Sequence, residues 1–161
     1  MKKKLLIAIL GVISILVAGL GVVNYNAHKE TQEFNAFRKE LDKELLKETS
    51  EYITTVTENS GTPEYTDWLI EEKGLENSYK YARELSELRI KIINYDVKYE
   101  DTLELKKNAL NTITSLENTL TTISTFTDTK DAQLLDSLLS SHLKDLKENV
   151  KKQNDILKKY N

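Results

Sequence analysis

The side chains best suited to chemistry are few and scattered. The chain has two histidines, His28 and His142, and no cysteine. Nucleophilic triads, zinc centres and histidine general bases all need such groups to converge. His142 sits beside Leu139 and Leu143 on an amphipathic stretch, which reads as a partly buried or surface histidine rather than a ligand. Glu71 and Glu72 are adjacent on a helix and point in different directions, so they do not form the facing carboxylate pair of a glycosidase. No glycine-rich loop could cradle a phosphate. The expectation is a protein without catalytic residues, metal or cofactor.

What remains is contact chemistry. In EYTDWLIEEKG, Tyr65, Trp68 and Leu69 fall at i, i+3 and i+4, one face of a helix. Trp and Tyr dominate interface energy because they bury much area at little entropic cost. The acids Glu64, Asp67, Glu71 and Glu72 would rim that face and favour a basic partner. The ordinary alternative is that Trp68 plugs the open end of a helical bundle. A second candidate surface is the lysine-rich end, Lys144, Lys147, Lys151, Lys152, Lys158 and Lys159. Of these, Lys151, Lys152, Lys158 and Lys159 would rest on anionic headgroups or a polyanionic wall polymer, at about 1 kcal/mol per lysine near the surface. The alternative is that they complement the helix dipole.

The elements that position these residues begin with MKKKLLIAILGVISILVAGLGVV. Lys2, Lys3 and Lys4 precede 19 uncharged residues, Leu5 to Val23, of which 13 are Leu, Ile or Val. As a helix this run is about 28 Å long, close to the hydrocarbon core of a bilayer. Secretory h-regions are usually shorter and end in a polar, small-residue cleavage zone, so residues 1–23 read as a signal-anchor transmembrane helix. Cleavage near Gly19 and Gly21 is the alternative. LVAGLG looks like a lipobox with Leu20 where the lipid-bearing cysteine would stand, so a thioether-linked lipid is excluded. The lysines hold the amino end in the cytoplasm and send residues 24–161 outside. Gly11, Ser14, Ala18 and Gly21 share one side of the span, a small-residue face that lets a second helix approach. A copy of the chain or another membrane protein would pack there, although small residues are also simply common in such spans.

The exported part carries 20 basic and 26 acidic residues once the three leading lysines are set aside. That balance argues against nucleic acid, which expects a basic face. The single proline is Pro63, and neither proline nor glycine occurs over residues 22–60 or 75–161. Long breaker-free stretches rich in Lys, Glu and Leu imply an all-α domain. Helix A is expected over 26–59, a short helix over 63–73, B over 75–99, C over 102–126 and D over 129–160.

Phe34, Phe37, Leu41, Leu45, Tyr52 and Val56 mark the buried side of A. Gly61, Thr62 and Pro63 suit the end of A, a cap and the first position of the next helix, and Gly74 stops the short helix. B carries two stripes: Leu85, Leu88, Ile92, Tyr95 and Tyr99, then Ile90, Ile93 and Val97. Two stripes imply more than one neighbour. Asp101 and Glu104 resemble a capping box, and C buries Leu110, Ile113, Leu116, Leu120, Ile123 and Phe126. Its many threonines lower helix propensity, yet the apolar period stays 3.6. D presents a heptad seam from Leu139 to Tyr160, interrupted by Gln153.

Short turns between long helices give an antiparallel, up-down-up-down four-helix bundle. The alternative is an open coiled-coil hairpin that completes its core by oligomerising. The A–B connection would be distal to the membrane and acidic, the carboxyl end proximal and basic. The layout resembles small single-span helical surface proteins of low-GC Gram-positive bacteria, their phages and plasmids. The expected role is a plasma-membrane protein that contacts an envelope protein, as an accessory, scaffold or exclusion factor. Alternatives are a cleaved, secreted binding module or effector, and a sensory ectodomain that signals through a partner.

Overall fold

The computed structural model describes residues 27–41, 44–59, 64–129 and 132–160. The expected span, its face Gly11, Ser14, Ala18 and Gly21, and the break at Gly61–Pro63 lie outside them. The described part is all-α: α1 (Ala27–Leu41), α2 (Glu44–Asn59), α3 (Tyr65–Glu71), α4 (Gly74–Asn94), α5 (Glu100–Thr129), α6 (Ala132–Leu157) and a closing 3-10 turn, Lys158–Tyr160. Among the described residues no helix is long and apolar enough to cross a membrane.

The helices form a bundle whose axis is α5, which touches α1, α2, α3, α4 and α6. The pairs α2–α4, α4–α5 and α5–α6 run antiparallel. Tyr52 of α2 reaches Gly74 at the start of α4, Arg89 of α4 pairs with Glu117 of α5, and Asn108 of α5 bonds the Asn149 carbonyl of α6 at 3.0 Å. One core joins Phe34, Ile53, Leu69, Leu85, Leu116 and Leu146 across all six helices. Each such side chain contributes about 1.5–3 kcal/mol by leaving water.

In the threonine-rich helix, buried and exposed hydroxyls alike bond carbonyls of their own helix. Thr112, Thr119 and Thr122 donate to the carbonyls of Asn108, Ser115 and Asn118 at 2.8–3.0 Å. A hydroxyl that bonds its own helix is not left unsatisfied when buried. Asn108, Thr112, Ser115, Thr119 and Thr122 therefore make a small, buried polar stripe, and Asn149 Nδ2 donates to Ser115 Oγ at 3.0 Å across the α5–α6 seam.

Three expectations change. α4 ends at Asn94, not at residue 99: Tyr95 is extended, and its N–H returns to the Ile92 carbonyl. Lys106 Nζ then donates to the carbonyls of Ile93 and Tyr95, both at 2.8 Å, stabilising the exposed helix end. Of the second stripe, Ile90 and Ile93 are 57% and 52% exposed, and only Val97, past the helix end, packs against the core. Nor do Asp101 and Glu104 form a capping box. The N–H groups of Lys98 and Tyr99 go to Glu33 of α1 at 3.0 and 3.1 Å, so the α4–α5 turn is capped from another helix.

Candidate functional site

An open groove of roughly 260 Å³ lies between α2, α3 and α4. On α2 it takes Glu48, Glu51, Tyr52 and Thr55, whose i, i+3, i+4, i+7 spacing places them on one face. Trp68 comes from α3, Glu72 from the residue after it, and Asn77 and Tyr81 from α4. Three aromatic rings and three carboxylates thus share one concave surface.

The walls are held from beneath. Tyr52 donates its hydroxyl to the Gly74 carbonyl at 2.9 Å and lies 5.3 Å from the Tyr81 ring, centroid to centroid. Burial is the largest influence on that hydroxyl and pushes its pKa above the usual tyrosine value. Trp68 stacks on Tyr65 at 6.2 Å and Tyr65 on Phe126 at 5.8 Å, so a column of rings leads from the core to the groove. The tight α3–α4 turn brings Glu72 and Asn77 to the rim. Lys73 adopts a left-handed backbone, φ 53°, and Asn77 Nδ2 donates to the Glu72 carbonyl at 2.7 Å. A Cβ on Gly74 would stand 2.8 Å from the Leu69 carbonyl oxygen, so only glycine lets the two helices approach this closely.

The carboxylates are only lightly engaged. Lys80 Nζ lies 3.7 Å from Glu48 and 4.8 Å from the centre of the Tyr81 ring. Lys47 reaches Glu51 at 3.8 Å. Exposed pairs of this kind are weak and screened by salt.

The structure divides the residues expected to form a partner surface. Tyr65 and Leu69 are 5% and 0% exposed and belong to the core; they seal the bundle end and present no area to a partner. Trp68 is half-buried, with one part on Tyr65 and the rest in the groove. Its companions there are Tyr52 and Tyr81. The spacings Glu48–Tyr52–Thr55 and Asn77–Tyr81 carry that signal in the sequence.

At the lysine-rich end, exposed lysines stand beside acids of the chain. Lys152 pairs with Glu104 at 3.6 Å, Lys158 with Asp155 at 3.1 Å and Lys159 with Asp101 at 2.7 Å, while Lys151 is exposed. Much of the positive charge expected to face an anionic surface is matched by the chain's own acids. Here Tyr160 stacks on Phe34 at 3.9 Å and its hydroxyl donates to Asp101 at 2.9 Å. Lys159 first, then Tyr160, hold the Asp101 carboxyl below its usual range against the opposing effect of burial. Burial first, then Asp101 and Glu30, push the Tyr160 hydroxyl up.

His142 is half-buried and His28 exposed, where it meets Gln32 at 2.9 Å. Among the described residues no group of three or more His, Asp or Glu could hold a metal ion. The chain matches no family model, no curated protein and no solved structure.

Proposed function

We propose that this chain is a membrane-anchored helical interaction protein of the bacterial envelope, held by the apolar run over residues 5–23 and acting through the groove around Trp68. The observation that carries the reading is the position of that groove. Residue 30 and residue 160 meet at one end of the bundle, through the Tyr160 hydroxyl and Glu30 at 3.2 Å. Tyr81 lies about 20 Å along α4 from that end, and α3 closes the opposite end. A tether leading into α1 would hold the groove outward, away from the bilayer. Open aromatic surface flanked by acids suits contact with another envelope protein better than any reaction, so the role is an accessory, scaffold or exclusion factor and not an enzyme.

Fractionation with an intact mass tests the tether. Membrane association with residues 1–23 retained supports it; a mature protein beginning near Val22 turns the reading to a secreted binding module. A photo-cross-linker at Thr55 or Asn77 in cells tests the groove, with a discrete partner adduct expected there and none from Ile90.

A further inference from the structure

We infer that the groove between α2, α3 and α4 receives a lysine or arginine side chain from a basic polypeptide segment of the partner. The inference rests on the reading of the chain as a partner-binding protein and names the chemistry of what it binds.

Three observations converge on a cation. Trp68, Tyr52 and Tyr81 offer ring surface in one concavity, and ring faces attract ammonium and guanidinium groups through their quadrupole. Glu48, Glu51 and Glu72 line the same concavity without any lining cation. The chain itself places a cation at the rim: Lys80 lies 4.8 Å from the Tyr81 ring centre and 3.7 Å from Glu48. Lys80 is an internal example of the contact a partner would make, and it competes for the same ring and carboxylate. The surrounding charge extends the match along a peptide. Glu58, Glu64, Asp67, Glu71, Glu72 and Glu76 fall in residues 58–76 with Lys73 as the one base, so the chain around Trp68 is acidic. An acidic or purely apolar occupant would have to desolvate these carboxylates without compensation.

Trp68 is the only tryptophan in the chain, so its fluorescence reports occupancy directly. Full-length protein in neutral detergent is titrated with a short oligolysine peptide, an oligoarginine peptide and an all-glutamine analogue. A saturable change with the basic peptides and none with glutamine is expected, weakening as salt is raised. Tyr81→Leu, read by the same signal, and Trp68→Leu, read by calorimetry, keep every charge and should each weaken binding about tenfold. Glu48→Gln with Glu72→Gln should weaken it further. Asp96→Asn, on the α4–α5 turn, should leave it unchanged. Lys80→Gln, which removes the resident cation, should tighten it two- to threefold.

Binding that ignores both aromatic substitutions while falling with the glutamates would be diffuse charge attraction, and would overturn the inference, as would no saturable signal. Circular dichroism of each variant separates lost binding from lost fold. If cross-links from Thr55 persist in cells while basic peptides fail to bind, only the cation assignment falls. If peptides bind and no cross-link forms, the reading of the groove as the partner site falls instead.

Discussion

At the end of the bundle that carries residue 160, Tyr160 lies flat on Phe34 and its hydroxyl meets Asp101 and Glu30. Glu33 there is occupied by two backbone N–H groups. At the groove, Tyr52, Tyr81 and Trp68 stand beside Glu48, Glu51 and Glu72; exposed lysines lie 3.7 Å from Glu48 and 3.8 Å from Glu51. Both regions combine aromatic rings with carboxylates. In the first, the chain's own donors use up the acids, and the cluster fastens α1, α5 and the carboxyl end together. In the second, the rings are seated but the acids still face water. The same residue types therefore build a clasp in one place and an unfinished contact in the other, and the difference lies in whether donors from the chain arrive.

The largest effect that would sharpen this contrast is on stability. Phe34→Ala removes a fully buried ring beneath Tyr160 and should cost about 3–5 kcal/mol. Trp68→Leu, by contrast, should cost about 1–2 kcal/mol, since Trp68 is only half-buried and the change gives up its stack on Tyr65. Urea unfolding followed by circular dichroism checks both. Equal losses would mean that Trp68 is a structural plug.

The α3–α4 turn comes next. Gly74→Ala forces a methyl against the Leu69 backbone and should cost about 1–3 kcal/mol. Lys73→Gly relieves the left-handed conformation at the neighbouring position and should gain up to about 1 kcal/mol. The opposite signs at adjacent residues make the pair a strict test. If Lys73→Gly is destabilising, the turn that seats Trp68 and Glu72 is wrongly placed.

Acid and alkali then separate the two regions. The Asp101 and Glu33 carboxyls are held below their ordinary values of 3.8 and 4.5. For Glu33, burial opposes the shift, and the N–H groups of Tyr99 and Lys98 outweigh it. Depressed carboxyls contribute stability that is present above those ordinary values and lost as pH falls through the folded ones. Tyr160 and Tyr52 are raised above 10.0, chiefly by burial. Their contribution is present below pH 10 and lost as the pH rises above it. Tyr160→Phe should steepen no acid loss of its own; it should shrink the acid-side drop, because Asp101 loses a donor, and remove part of the alkaline drop. Tyr52→Phe should alter the alkaline side alone. Each change is about 1 kcal/mol at most in these partly exposed settings, and is read from unfolding midpoints across pH.

Much of the fold is legible in the sequence because glycine and proline are confined to a few positions and the apolar spacing holds at 3.6. Phe34, Phe37, Leu41, Leu85, Leu88, Ile92, Leu116 and Leu120 are buried as that spacing requires. What spacing does not reveal is which apolar stripe a neighbour covers: Ile90 and Ile93 read as a second packing face and stand in solvent. Nor does it reveal caps supplied from a distant helix. Asp101 and Glu104 have the local pattern, yet Glu33 does the work across 65 positions of sequence. The groove was half legible. Trp68 stands out by type, while Tyr52 and Tyr81 acquire meaning only when α2 and α4 are set side by side, and Tyr65 and Leu69 turn inward because α3 is pressed against Phe126.

The smallest stability effect bears most on function. Glu72→Gln leaves the hydrogen bonds of the turn intact, because the Glu72 backbone makes them: its N–H goes to the Trp68 carbonyl at 2.9 Å, and its carbonyl accepts from Asn77. Only the carboxylate charge is lost, at an exposed position, so the unfolding free energy should stay within about 0.5 kcal/mol. If the acids at this end exist for a partner, the same substitution should still lower the yield of the Thr55 cross-link in cells. The matching change at the clasp, Asp101→Asn, should do the reverse. Lys159 and Tyr160 donate to separate oxygens of this carboxylate, and the amide keeps only one of them and no charge, so the change should weaken the fold and leave the cross-link yield per folded molecule unchanged. A loss of cross-linking from Asp101→Asn with none from Glu72→Gln would invert the roles of the two ends.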